Sequence, residues 1–343
     1  DDVFMRSTKD DFRVIALIAA YNEADIISSV IEHLINNGIE VYLIDNRSTD
    51  DTVEQASPFL GKGLINIETY PPSHSCSDEP NGVYDWSSIL RRKEELAVEL
   101  EADWFIHHDA DEFREGPFPS LTLKKAIRYV DSLGYNCIDF HLLNFHPVNN
   151  DFIPGTDPRS VFTRYEDGAD FDAVQRKCWK STGTPVSLVH AGGHDVQFYG
   201  RRVSPIKFIL CHIPIRSQQH GIRKVFQERK NRFVESERAK GWHVQYDEMV
   251  DAEYSFLKDR EQLVPFDLEQ VRLRLLTGAW EINLQDPLFR RLLSREEELA
   301  HLLQSNYEQE LEIGCRLGPI VERRKEELEQ LRNKLGNEGS GQN

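Results

Sequence analysis

Asp103-Trp104-Phe105-Ile106-His107-His108-Asp109-Ala110-Asp111-Glu112-Phe113 decides how the rest of the chain is read. Trp104 to Ile106 has the apolar content of a short buried strand, and two carboxylates one residue apart follow it. In extended backbone, residues i and i+2 point the same way, so Asp109 and Asp111 can converge on one hard cation. A divalent ion with oxygen ligands, often shared with a diphosphate, is the usual client of such a pair. Taken alone, a D-x-D is no more than a solvated acidic turn. Its place at the C-terminal end of a strand, where open α/β sheets bind ligands, favours the ligand reading.

Upstream, Arg13 to Ala20 is a continuous apolar run suited to a strand covered on both faces. Ile26, Ile27, Val30, Ile31, Leu34 and Ile35 then mark a helix that Gly38 stops. Glu40 to Ile44 is a second strand. It ends in Asp45-Asn46-Arg47-Ser48-Thr49-Asp50-Asp51, good capping material for a short helix from Thr52. Leu64 to Thr69 reads as a third strand, and Tyr70 to Tyr84 as a long irregular loop of the kind that is functional or mobile. Trp86 to Leu100 is a helix with Arg91, Arg92 and Lys93 in its middle. Such alternation predicts a parallel sheet with right-handed crossovers.

Composition narrows the function. The 343 residues have room for one large α/β domain and a smaller appendage. A net charge of −17 argues against a general nucleic-acid binder, since phosphate backbones need clustered Lys and Arg. The five cysteines are scattered and form no C-x-x-C, so neither a disulfide framework nor a zinc cage is expected, and a reducing cytoplasm is the simplest home. The longest apolar run, Val14 to Ala20, is too short to cross a bilayer, and no signal peptide is visible. The Asp1-Asp2 start and the Gly339-Ser340-Gly341 end read as edges of a longer protein.

Ala19-Ala20-Tyr21-Asn22-Glu23, the Asp45-Asn46-x-Ser48-x-Asp50 turn and Asp109-x-Asp111 come in one order and at one spacing. Together they resemble family-2-type glycosyltransferases of the GT-A fold, clearly over Arg13 to Phe113 and more weakly to about Arg216. The resemblance implies that the first two strand ends hold the nucleotide base and ribose, and that the D-x-D holds ribose and a Mn²⁺ or Mg²⁺ ion on the diphosphate. It sets Tyr21, beside Ala20, against the base, Glu23 near the ribose or diphosphate, and Asp45 on the base's imide N–H. That last contact suits uracil or thymine, and guanine less simply. Asp109 faces ribose or a metal-bound water, and Asp111 the metal. For Asp45 alone, a turn cap is as good a reading as a ligand. Arg92 is a candidate diphosphate partner because guanidinium forks onto phosphate, against the plainer reading of a solvated helix face.

Downstream, Leu121 to Leu133 reads as a helix and Asn136 to Phe145 as a strand; His146 to Thr184 shows few periodic signals. His212 ends the apolar run Phe208 to Cys211, the same kind of address as the D-x-D. Many GT-A enzymes complete the metal shell with a downstream histidine, and imidazole suits Mn²⁺ tolerably, so His212 is the candidate third ligand. Transfer with inversion needs a base for the acceptor hydroxyl; Asp195 is the first candidate and His194 the second, after the Gly192-Gly193 turn. From Ile222 to Ala239 the chain reads as a basic helix, either guiding an anionic acceptor or solvated. Asp267 to Asn283 is a further helix. Leucines spaced three, four and seven apart over Leu288–Ile313 and Ile320–Leu335 fit a coiled coil or a helical arm folded back on the domain.

The expected architecture is therefore α/β, a GT-A (Rossmann-like), mostly parallel sheet flanked by helices, with a C-terminal α-helical extension. Its divisions are a GT-A domain over residues 1–220, split near 115 into nucleotide-sugar and acceptor halves, a helical region over 221–285, and a helical arm over 286–343. The expected activity is metal-dependent transfer of a sugar from a nucleoside-diphosphate sugar, UDP-sugar favoured, to a hydroxyl of a glycan or lipid-linked acceptor. The resemblance points to inverting transfer in bacterial-type surface polysaccharide assembly. Cysteine usage points to the cytoplasm, with association at the inner face of the membrane left open and no span expected. The C-terminal leucines leave open a homo-oligomer paired through these helices or an arm folded back on the domain. A nucleotidyltransferase shares the sheet and the carboxylates, but Ala19 to Asp25 has none of the Gly and Lys its phosphate loop needs. An inactive oligomerising scaffold of a glycan-assembly complex is the other alternative.

Overall fold

The structure, a computed structural model, describes residues 12–72, 84–232, 237, 254–283 and 327. The first apolar run forms β1 (Val14–Ala20), and α1 (Ile27–Asn36) follows. Then come β2 (Glu40–Asp45), α2 (Thr52–Ala56), β3 (Leu64–Thr69), α3 (Trp86–Glu99) and β4 (Trp104–Asp109). Val14, Ala16, Ile18 and Ala20 of β1 belong to one apolar core with α1, while Ile15 and Leu17 belong to another with Leu90 and Leu96 of α3. That period-two split is what a strand covered on both faces requires.

Beyond β4 the order is β5 (Glu112–Glu115), α4 (Leu123–Ser132), β6 (Cys137–Ile138), β7 (Phe140–Phe145), β8 (Arg164–Asp167), β9 (Cys178–Lys180), β10 (Phe208–His212), α5 (Gln218–Ile222), β11 (Val264–Pro265) and α6 (Leu268–Asn283). One sheet runs β3-β2-β1-β4-β9-β6, with its first four strands parallel and β9 antiparallel to β4. A second sheet runs β11-β8-β7-β10-β5, and only its β7–β10 pair is parallel. This is a mixed α/β arrangement whose first sheet is parallel over its four leading strands, as the alternation of strands and helices predicted. The chain passes from β4 in one sheet to β5 in the other through Ala110-Asp111 alone, so the D-x-D sits on the joint between sheets.

Three expectations change. Asn136 to Phe145 is not one strand: it breaks at Asp139 into β6 and β7, which join different sheets. The buried Asp139 carboxylate makes the break by accepting from the Gln175 N–H at 2.8 Å and pairing with Lys207 at 3.1 Å. The stretch 146–184, unpatterned in sequence, contributes β8 and β9. The basic run after Ile222 is no uniform α-helix: α5 passes into a π-helical segment, Arg223–Arg229, and a 3₁₀ turn, Lys230–Arg232. The leucine-rich arm over 286–343 lies outside the described residues, apart from Glu327.

Candidate active site

The site is built where β1, β2 and β4 end together. Register sets Ala20 against Asp45 on one side, and Ala19 against Asp109 on the other. Tyr21, Asp45 and Asp109 thus emerge at one sheet edge, from three neighbouring strands. Asn22 takes a left-handed backbone (φ 55°), which asparagine tolerates better than most residues. Its Oδ1 accepts from the Thr49 N–H at 2.7 Å, and its own N–H donates to Ser48 Oγ at 3.0 Å, tying the first strand end to the second.

Asp45 is 3% exposed and accepts from the Ser48 N–H at 3.2 Å. It therefore makes the turn cap that was one of its two readings. Burial pushes its carboxyl above the usual carboxylate range, against the pull of the Ser48 contacts. Tyr21 carries the Arg232 guanidinium on its ring face, 3.7 Å from the centroid, and Arg232 also donates to Asn46 Oδ1 at 3.2 Å.

Glu23 is buried and points inward. It pairs with Arg216 through one oxygen and accepts from Lys224 Nζ at 2.8 Å through the other. Arg216 also forks onto Asp25, at 2.9 and 2.7 Å. Arg216 is fully covered; although burial opposes its charge, Glu23 and Asp25 outweigh that and raise its pKa. Among the described residues, Glu23, Asp25 and His220 form the one trio of potential metal ligands, and Arg216 already fills it.

The two D-x-D carboxylates diverge. Asp109 Oδ2 accepts from Lys177 Nζ at 3.1 Å, and Lys177 also reaches Glu112 Oε1 at 2.8 Å. Burial works against the Asp109 charge, but Lys177, His107 and Lys93 hold its carboxyl well below the usual range. Asp111 Oδ2 accepts from Lys224 Nζ at 2.8 Å, and Asp111 Oδ1 lies 3.6 Å from His212 Nε2. Burial opposes its ionisation too, and Lys224, His212 and Arg216 prevail, keeping it low. Behind Asp109, Lys93 is wholly buried, its Nζ 2.9 Å from both His107 Nδ1 and the His108 carbonyl. Desolvation takes its pKa down to about 7.

A divalent ion fits the Asp111–His212 pair better than the D-x-D pair. Asn144 Oδ1 accepts from His212 Nδ1 at 2.9 Å, which leaves the Nε2 lone pair free toward Asp111. A partner on the second ring nitrogen is how ligating histidines are oriented. Cis ligands with bonds of about 2.1 Å stand about 3 Å apart, so 3.6 Å asks for only a small adjustment. Asp109, neutralised by Lys177, is not brought into that pair.

His194 is exposed at the rim, with Gln175 Nε2 3.1 Å from its Nδ1. Partial desolvation and then Lys177 lower its pKa; the open face of the ring lets solvent limit that effect. Asp195 lies instead between Arg201 Nη1 at 2.6 Å and Arg176 Nη1 at 3.4 Å. Arg92 is used elsewhere: its guanidinium binds Glu68 at 2.8 Å, Glu95 at 3.0 Å and Glu99 at 2.8 Å. It braces α3 against β3, which is neither the diphosphate contact nor the solvated helix face that the sequence offered. Sequence reading missed Lys177, Arg216, Lys224 and Asp172. The D-x-D's own continuation, Asp111-Glu112, was a signal that more cations were needed nearby; nothing local marked which lysines would supply them.

The family model for glycosyl transferase family 2 matches residues 15–68, which run from β1 to β3 and include the C-terminal ends of β1 and β2. Over that stretch the chain bears the sequence pattern of this family. None of the curated proteins compared matches the chain. Among solved structures, TarS (residues 1–349) from S. aureus in complex with UDP matches at 17% identity, covering 42% of this chain and 38% of its own, with a TM-score of 0.28. The mannosyltransferase PcManGT from Pyrobaculum calidifontis, in complex with GDP-Man and Mn²⁺, matches at 16% identity over 37% and 35% of the two chains, with a TM-score of 0.27. Glucosyl-3-phosphoglycerate synthase from Mycobacterium tuberculosis, with Mn²⁺, UDP and glucosyl-3-phosphoglycerate, matches at 19% identity over 39% and 44%, with a TM-score of 0.25. The chain thus spans less than half the length of each, and overlaps this partial say nothing of activity. Among the described residues, no helix is long and apolar enough to cross a membrane.

Proposed function

We propose that the chain is a glycosyltransferase that takes its sugar from a nucleoside-diphosphate donor, with UDP-sugar as the favoured class. The observation that carries the reading is the register setting Ala20, Asp45 and Asp109 side by side at the edge of a parallel sheet, within and beside the matched stretch 15–68. Such an edge is where α/β sheets bind nucleotides. The base lies toward Tyr21 and Asp45, and the diphosphate toward Asp111 and His212. Asp111 and His212 would hold a divalent ion, which when bound would supply charge stabilisation for a departing diphosphate. Lys177 holds the Asp109 carboxylate ionised, and Lys224 and Arg216 do so for Asp111.

With Mn²⁺ present, UDP is expected to bind at least about tenfold more tightly than ADP, because an ionised Asp45 only accepts hydrogen bonds and adenine offers no ring N–H. Titration calorimetry with a panel of nucleoside diphosphates decides this. Equal or tighter binding of ADP sinks the base assignment, and no binding of any member sinks the reading.

The base for the acceptor hydroxyl is Asp172 rather than Asp195. Asp195 is neutralised by two arginines, whereas the half-buried Asp172 carboxylate has no hydrogen bond or ion pair among the described residues. Burial raises its pKa, while His212 and Lys177 pull it down, which sets it within their electrostatic reach. A carboxylate so placed, with raised basicity, suits proton abstraction. Asp172→Asn is expected to lower kcat about 10²–10⁴-fold with the donor KM little changed. Asp195→Asn is expected to alter stability more than kcat. The reverse ranking in steady-state kinetics returns the role to Asp195.

A further inference from the structure

Lys224 occupies the heart of the donor edge. Its ammonium is buried, and all three of its N–H donors have acceptors: Glu23 Oε1 at 2.8 Å, Asp111 Oδ2 at 2.8 Å and the Pro214 carbonyl at 3.0 Å. It is delivered by the π-helical segment Arg223–Arg229, and such widened turns cluster at functional sites. That segment is pinned beside the same strand ends. Asn22 Nδ2 donates to Glu228 Oε1 at 3.0 Å, and in the 3₁₀ turn that follows the segment the Arg232 carbonyl accepts from the Tyr84 N–H, ahead of α3, at 2.8 Å.

Charge gives this placement a consequence. Around Asp111 the carboxylates of Glu23, Asp25 and Asp111 face the cations of Arg216 and Lys224. The balance is one negative charge; without Lys224 it is two, which would suit a bare dication. A lysine already on Asp111 repels an incoming dication and attracts an anion. A metal bound to a nucleoside diphosphate carries net negative charge, so the residue that opposes the bare ion favours the complex.

Building on the proposed donor site, we propose that Lys224 is a positioning residue that makes cation binding at Asp111 conditional on the diphosphate. It holds Oδ2 of Asp111, leaves Oδ1 turned toward His212 Nε2, and keeps the bare ion out until the nucleotide brings its own negative charge.

The test uses the full chain, with Mn²⁺ alone and Mn²⁺ with UDP, read by electron paramagnetic resonance of free Mn²⁺ and by thermal melting. Wild type should bind Mn²⁺ weakly alone and at least tenfold more tightly with UDP. Lys224→Gln should bind Mn²⁺ alone at least tenfold more tightly than wild type, with a smaller further gain from UDP. Lys224→Arg keeps the charge and should behave as wild type does. The proposal is overturned if Lys224→Gln binds Mn²⁺ no better than wild type, or if Lys224→Arg gains as much as Lys224→Gln. Should Lys224→Gln unfold without metal, recovery of its circular dichroism on adding Mn²⁺ supports the proposal, and unfolding that Mn²⁺ leaves unchanged overturns it. A wild type that binds Mn²⁺ no better with UDP than without contradicts the donor-site reading instead, and the comparison of variants in Mn²⁺ alone still decides the role of Lys224.

Discussion

Asp111→Asn is expected to lower sugar-nucleotide turnover about 10³-fold, a loss of about 4 kcal/mol of transition-state stabilisation. The substitution removes the negative charge of the carboxylate that faces His212 Nε2 at 3.6 Å, and with it the anionic half of the proposed cation site. The fold should survive. Asn has nearly the same volume, and Lys224 keeps its bonds to Glu23 Oε1 and to the Pro214 carbonyl. A stability loss of about 1–3 kcal/mol is the scale for leaving one buried bond weakened. UDP release from UDP-sugars, assayed beside far-UV circular dichroism, separates the two effects. Wild-type turnover in the variant, or a wild type indifferent to EDTA, would falsify the cation assignment.

Arg216→Met is expected to have the larger effect on the fold. The guanidinium has no exposed surface and holds both Glu23 and Asp25, residues 193 and 191 positions away in the chain. Deleting it leaves Glu23 with Lys224 alone as its cationic partner and Asp25 without the guanidinium that held it. Removing one partner of a buried ion pair typically costs about 3–5 kcal/mol. Denaturant titration should therefore show a midpoint shift of that size, and Asp25→Asn in the Arg216→Met background should recover part of it. A midpoint unchanged in Arg216→Met, or lowered further by adding Asp25→Asn, shows that the cluster does not bind the segment after β10 to the loop after β1.

Much of the architecture was legible in local sequence because its signals are local. Seven apolar residues in a row make β1, the 3.6-residue spacing from Ile27 to Leu34 makes α1, and Gly38 ends the helix with a positive φ. Strands alternating with helices imply a parallel sheet, and a D-x-D after such a strand implies a ligand edge. The family resemblance put Tyr21, Asp45 and Asp109 around one nucleotide, and the register holds Ala20, Asp45 and Asp109 at neighbouring strand ends. The split of Asn136–Phe145 was not legible. It depends on Asp139 meeting Gln175 and Lys207, partners 36 and 68 residues away.

The charges of the site were decided by tertiary structure alone. Arg92 and Lys224 look alike in sequence, each a cation inside a charged run. Arg92 lies on the outer face of α3 among Glu68, Glu95 and Glu99, whereas Lys224 is turned inward onto Glu23 and Asp111. Asp195 and Asp172 differ in the same way: two arginines neutralise one, and the other has no ion pair among the described residues. Sequence by itself determined which residue types stand at the strand ends, because strand and turn formation is governed by near neighbours. Which carboxylate is neutralised, which histidine nitrogen faces the site and which lysine is buried depend on contacts that only the packing of two sheets and a π-helical segment creates. Charge is a pairwise property of space, and sequence spacing does not carry it.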